Sequence, residues 1–71
     1  MKDHRQAEAN VLGYDIERVT KFDERGDIAA RWYEVTMPGD GALLGTFAQR
    51  SLAEREIVAR ELALWQRRTA A

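Results

Sequence analysis

The spacing of hydrophobic positions changes along the chain, from a period near two in the first two thirds to a helical period in the last third. Residues 51–68 repeat apolar side chains every three or four positions, which at about 100° per residue forms two apolar edges. These edges are Ala53, Ile57 and Leu64 on one line, and Val58, Leu62 and Trp65 on the other. The pattern predicts an amphipathic helix that packs against the preceding strands.

Capping and charged residues agree with this helix at both of its ends. Ser51 followed by Glu54 matches a capping box, in which each side chain accepts a hydrogen bond from the other residue's backbone N–H group. Arg67 and Arg68 fall in the last turn, where positive charge is favourable. Glu61 is the exception, because it lies between the two apolar edges and its carboxylate needs a partner or water there.

Three stretches before the helix are rich in β-branched and aromatic residues and predict strands at residues 11–23, 28–37 and 42–48. Turn signals separate them, DERGD and PGDG. The first strand alternates imperfectly, which predicts a bulge near residues 17–19. The second strand presents two sets of side chains on opposite faces. We expect one set to face the helix, Tyr33, Val35 and Met37, and the other to point outward, Trp32, Glu34 and Thr36.

This element order predicts an α+β fold, a three-stranded antiparallel sheet (β-β-β-α) with one C-terminal helix packed across one face. Residues 1–10 are polar and predict a flexible N-terminal arm, and residues 11–71 predict a single small domain. A lone domain of 71 residues has a small core. We therefore expect a homodimer through the C-terminal helix, with one apolar edge on the sheet, the other on a second copy, and Glu61 at the junction.

Composition narrows the class of protein. Basic and acidic side chains nearly balance, at 11 and 12, so the net charge is −1 and strong nonspecific binding to nucleic acid is not expected. The chain has no cysteine, no apolar run long enough to cross a membrane, and no signal-peptide core in residues 1–10. These features predict a cytoplasmic protein without disulfides and without a membrane partner.

The sequence contains no arrangement that is typical of catalysis. His4 is the only histidine and has no metal-ligand partner at a recognisable spacing, and Ser51 is accounted for as a helix cap. Asp15 and Glu17 are two apart on a strand, which is typical of a solvated face. The acidic turn that follows lacks the spacing of a calcium loop. We therefore predict a non-enzyme that needs no cofactor and no metal.

The run WYEVTMPGDGALLGTF at residues 32–47, followed directly by the helix, resembles the DNA-binding domain of plant APETALA-type transcription factors. It is also similar to the arm-type DNA-binding domains of tyrosine recombinases. The resemblance rests on Glu34-Val35, Pro38 and Leu44-Gly45-Thr46-Phe47 and covers about half the chain. It implies a sheet whose open face enters the DNA major groove, with Trp32, Glu34, Thr36 and Leu43 outward. The arginine-rich first strand of those families is replaced here by Tyr14-Asp15-Ile16-Glu17-Arg18, and Thr36 stands where their second strand has an outward arginine.

Two hypotheses for function follow from these patterns. The first is a binding module for a macromolecular partner, with a protein partner favoured over DNA. A phage- or plasmid-type inhibitor or accessory factor is an example of such a module. Its contact surface is the open sheet face, with Trp32 as the anchor beside Glu34 and Thr36. The alternative is sequence-specific DNA recognition by the same sheet. A third interpretation, with no external partner, has both faces covered in a dimer. The DNA-recognition hypothesis uses the basic side chains Arg18, Lys21 and Arg31.

Overall fold

The structure, a computed structural model, describes residues 3–69 and contains four strands followed by one helix. The elements are β1 (Asp3–Val11), β2 (Tyr14–Phe22), β3 (Ile28–Thr36), β4 (Leu43–Phe47) and α1 (Arg50–Thr69). The strands form one antiparallel sheet in the order β1-β2-β3-β4, so every strand pairs with its neighbour in sequence. The α+β class and the single C-terminal helix on an antiparallel sheet are therefore confirmed.

The predicted number of strands was wrong, because the segment assigned to a flexible arm forms the edge strand β1. Most side chains of β1 are exposed, and its sequence DHRQAEANV has almost no apolar alternation. Its place in the sheet comes from backbone pairing with β2 and from cross-strand ion pairs. The first two residues of the predicted arm and the last two of the predicted domain lie outside the described residues.

A two-residue turn joins β1 to β2 and had no obvious signal in the sequence. Leu12 and Gly13 both have positive φ angles, 53° and 89°, as a type I′ hairpin turn requires. Glycine adopts this conformation without strain, whereas leucine does so rarely. The Asn10 side-chain oxygen accepts a hydrogen bond from the Gly13 N–H at 3.2 Å, which helps to hold the turn.

The register of the sheet shows which residues share a face. One extra residue interrupts each pairing, at Glu8 in β1, Ala29 in β3 and Leu44 in β4. The bulge expected near residues 17–19 is absent, because β2 pairs with β3 without interruption from Asp15 to Lys21. Val19 therefore faces away from the helix, on the side opposite Ile16.

The hydrophobic core lies between α1 and one face of the sheet. As predicted, the Val35 side of β3 faces the helix, and Tyr33 and Met37 pack around the core. The buried core residues are Tyr14, Ile16, Val35, Ala53 and Ile57. Only the first helical edge contributes to them, and its small Ala53 lets the helix backbone approach the sheet closely.

The second helical edge, formed by Val58, Leu62 and Trp65, is exposed and does not contribute to the core. Val58 and Leu62 are each 51% exposed and Trp65 is 59% exposed.

The molecule is elongated, with extents of 57 × 21 × 15 Å and a radius of gyration of 14.7 Å. A compact chain of this length would have a radius of gyration of about 11 Å. The folded chain therefore buries less apolar surface than a compact domain does.

The helix begins one residue before the predicted start. The Ala53 N–H donates to the Gln49 carbonyl at 3.3 Å, so Gln49 and not Ser51 occupies the N-cap position. Glu54, predicted to complete a capping box, instead accepts a hydrogen bond from Arg50 Nε at 2.9 Å, one helical turn away. The capping-box prediction was therefore wrong, although the helix itself is confirmed.

Candidate functional site

The face of the sheet opposite α1, which we call the open face, is not covered by any other element of the described chain. Alternation along β2 and β3 puts Val19, Trp32 and Glu34 on this face, because Ile16 and Val35 point into the core. The other side chains on it come from all four strands. By register they include Asp3, Arg5, Asp15, Glu17, Lys21, Thr36, Leu43 and Thr46.

Val19 is fully buried, although it lies on the open face. In the sheet register it is flanked by Arg5 on β1 and by Trp32 on β3. Both of these side chains are long enough to cover a valine from its two sides, and Trp32 is itself only partly exposed. The centre of the open face is therefore a small packed cluster of three residues and not a solvated strand.

Glu34 is held at two points beside this cluster. Its Oε1 lies 2.7 Å from Arg5 Nη1, and its Oε2 accepts a hydrogen bond from Trp32 Nε1 at 3.0 Å. Arg5 also lies 3.6 Å from Glu17, so one guanidinium links carboxylates on two neighbouring strands. The hydrogen bond from Arg5, and then the one from Trp32, lower the pKa of Glu34, whose side chain is 16% exposed. The same carboxylate raises the pKa of Arg5.

These contacts fix the orientation of Trp32. An indole whose N–H is bound to a fixed carboxylate loses little further freedom when a partner binds it. The arrangement presents an aromatic surface next to a carboxylate that stays ionised at neutral pH. It is thus suited to recognition of a surface that is partly apolar and partly basic.

The open face is acidic on balance. Four carboxylates stand on it against two basic side chains, with register positions on β1, β2 and β3. These charged residues are Asp3, Asp15, Glu17, Glu34, Arg5 and Lys21. Since DNA affinity depends on neutralising phosphates, a face with this charge opposes contact with a duplex.

Of the six residues proposed from the sequence for binding, four share the open face and two do not. Trp32, Glu34, Thr36 and Lys21 lie on it, but Arg18 and Arg31 lie on the helix side. This separation contradicts the expectation that Arg18, Lys21 and Arg31 act together from a single face. The cause is the uninterrupted alternation of β2, which puts Arg18 on the same side as the core.

The two helix-side arginines already have partners within the chain. Arg18 hydrogen-bonds to Gln6 and lies 3.3 Å from Glu8. Arg31 Nε donates to the buried Thr20 hydroxyl at 3.4 Å. Glu8 is also 3.6 Å from Arg50, the first residue of α1. These contacts join β1 and β2 to the start of the helix, which is a structural role.

Three residues of the open face were not predicted as part of a site. Arg5 was assigned to the arm, Val19 fell within the expected bulge, and Glu17 was considered only as a solvated carboxylate. The sequence signal that identifies them is the position of Val19, which does not alternate in step with Tyr14 and Ile16. In a regular strand Val19 therefore faces away from the core.

Residues 3–69 include no helix with the length and apolar character that a membrane span requires. Within the same range, the structure brings together no group of three or more histidine, aspartate or glutamate side chains that could hold a metal ion. Comparison of the chain with models of known protein families, with curated proteins and with solved structures found no match. The fold and the open face are therefore the basis for inference about function.

Proposed function

We propose that this chain is a small non-enzymatic binding module that engages a protein partner through its open face. The observation that carries the proposal is the cluster of Trp32, Glu34 and Arg5 over the buried Val19. Aromatic and arginine side chains are the residue types that most often dominate protein interfaces, above all where they are packed and held rigidly. A solvated sheet face has no need of such an arrangement.

The charge of the open face defines the partner further. Its excess of carboxylates favours a protein surface that offers lysine or arginine side chains around an apolar centre. The same charge argues against the alternative function, sequence-specific DNA binding, because arginines that would contact phosphates are held on the other side of the sheet. A phage- or plasmid-type inhibitor or accessory factor is one kind of protein that acts in this way.

Charge reversal on the open face tests the proposal. The wild type and the Glu17→Lys variant are immobilised and exposed to extract from the cells that naturally make the protein, and bound proteins are quantified by mass spectrometry. Glu24→Lys, the same change in the exposed β2–β3 turn, is the matched control. We expect one or more proteins to bind the wild type and the control but not Glu17→Lys, with circular dichroism showing that all three are folded. Equal capture by all three proteins would contradict the proposal.

A titration with random-sequence duplex DNA at low salt tests the alternative directly. We expect binding weaker than about 100 µM, because few phosphates can be neutralised by the open face. Micromolar affinity with a steep salt dependence, lost on Lys21→Ala but kept on Lys21→Arg, would replace the protein-binding proposal with DNA recognition.

A further inference from the structure

The exposed edge of α1 forms a second surface, separate from the open face. We call it the outer seam and define it as Arg55, Val58, Leu62 and Trp65. Its members are spaced three, four and three residues apart, the alternation found where two helices pack along their length. Averaged at 100° per residue, the three apolar members point roughly 130° away from the edge that contacts the sheet. A second helix can therefore lie on the outer seam without touching the sheet.

One flank of the outer seam carries opposite charges at the two ends of the helix. Along one flank, at seven-residue intervals, lie Glu54 near the start, Glu61 in the middle and Arg68 near the end. The other flank is uncharged and consists of Leu52, Ala59 and Gln66. A helix with this polarity is complementary to a copy of itself that runs in the opposite direction.

We propose that the outer seam binds a second copy of this chain, with the two helices antiparallel and the two-fold axis near residue 60. In this register Leu62 of each helix packs on Val58 of the other, which forms the apolar centre. Arg55 then lies over the indole of Trp65 from the partner helix, a cation–π contact, at both ends of the seam. Glu54 of each helix faces Arg68 of the other, so the dimer has two equivalent ion pairs.

The parallel arrangement is disfavoured by the same residues. It would put the two Arg55 guanidinium groups against each other in the seam and would leave Glu54 opposite the uncharged Ala59. Like charges in contact cost free energy, and the ion pairs of the antiparallel register would be lost. The charge pattern therefore selects both the partner and its direction.

Glu61 has an unfavourable position in this dimer, and this gives a distinctive test. It is half-buried and forms no ion pair within residues 3–68. In the antiparallel register the two Glu61 side chains approach each other beside the two-fold axis, where their charges repel. Removing this charge should therefore strengthen self-association, which a residue with only a structural role in the monomer would not do.

Sedimentation equilibrium of the full chain and its variants tests the inference. We expect the wild type to dimerise in the micromolar range, Glu54→Arg to weaken dimerisation at least tenfold, and Glu54→Arg combined with Arg68→Glu to restore it. Glu61→Gln should tighten the dimer severalfold. Glu56→Arg, an equivalent change on the same helix but away from the outer seam, is the matched control and should leave dimerisation unchanged. The ion pair of Glu54 with Arg50 lies at the surface, so these variants are expected to fold.

Crosslinking through single cysteines distinguishes the two helix directions, since the chain has none of its own. A short bismaleimide should join Ala59→Cys chains, which meet near the two-fold axis of the antiparallel dimer, but not Ser51→Cys chains. The reverse result would overturn the antiparallel register. A wild type that remains monomeric at 300 µM, or a charge-reversed pair that fails to restore dimerisation, would overturn the proposal itself.

Discussion

Replacing Ile57 with alanine should remove more of the stability of this protein than any comparable change on the outer side of the helix. Ile57 is fully buried and packs in the core with Ala53 and the strand residues Ile16 and Val35. The substitution deletes three carbon atoms from the centre of that core. At about 0.8 kcal/mol for each buried methylene, the lost transfer free energy is about 2.4 kcal/mol.

The cavity left behind adds to this cost, so the expected total is about 3–4 kcal/mol. A chain of this length has an expected free energy of unfolding of about 4–10 kcal/mol. The variant is therefore expected to lose a large share of its stability, with a fall in Tm of about 12–30 °C. Ile57→Val, which removes one carbon atom, should cost only about 0.5–1.5 kcal/mol.

Urea denaturation followed by far-ultraviolet circular dichroism measures these differences, and Leu62→Ala is the matched control. Leu62 lies in the same helix but is 51% exposed. Below the micromolar range in which the proposed dimer forms, its replacement should cost about 1 kcal/mol or less, because half of its side chain then contacts water. Equal losses for Ile57→Ala and Leu62→Ala would refute the assignment of the two helical edges.

Three further predictions concern the β1–β2 turn and the open face. Leu12→Asn should raise the free energy of unfolding, measured by urea denaturation, by about 0.5–1 kcal/mol, because asparagine tolerates positive φ. Gly13→Ala should lower it by about 1 kcal/mol, because alanine at positive φ is strained. Changes of the opposite sign would contradict the turn geometry. Val19→Ala should cost about 1–2.5 kcal/mol, and an unchanged melt would show that the open face is not packed. Because the pKa of Glu34 is lowered in the folded state, its stabilising contribution is present above its ordinary pKa and is lost as the pH falls through the lower folded pKa. The difference in Tm between the wild type and Arg5→Met should accordingly be largest at pH 7 and vanish toward pH 2, and a constant difference would contradict this reasoning.

The strands and helix that carry regular apolar patterns could be predicted from the sequence, but β1 could not. Its residues are mostly polar on both faces, and the turn that joins it to β2 lacks the asparagine–glycine pair typical of such hairpins. Besides its backbone pairing with β2, β1 is held by a non-local contact, that of Arg5 with Glu34, which lies 29 residues away. No local pattern contains that information.

The assignment of the two helical edges had a similar limit. Both edges repeat at helical spacing, so periodicity alone does not say which one contacts the sheet. The choice depends on the first turns of the helix, where Ala53 permits a close approach and Ile57 fills the space beneath it.

The candidate site was predictable where alternation was regular, as for Trp32 and Glu34. For Arg18 the bulge expected near residues 17–19 obscured the alternation of β2, which is in fact uninterrupted there.

The open face lies on the side of the sheet away from α1, and the outer seam lies on the side of α1 away from the sheet. This arrangement sets the number of partners that the protein can bind at once. In the proposed dimer the two helices occupy the middle and the two open faces point away from each other at the outside. One dimer would then bind two sites on a repetitive or oligomeric target, or bring two separate targets together. Linked binding of this kind raises apparent affinity by about 10²–10⁴ without new contacts, provided that the spacing of the sites matches the span of the dimer. A protein whose single open face binds with low affinity would in this way bind with high affinity as a dimer, and only to targets that present their sites in pairs.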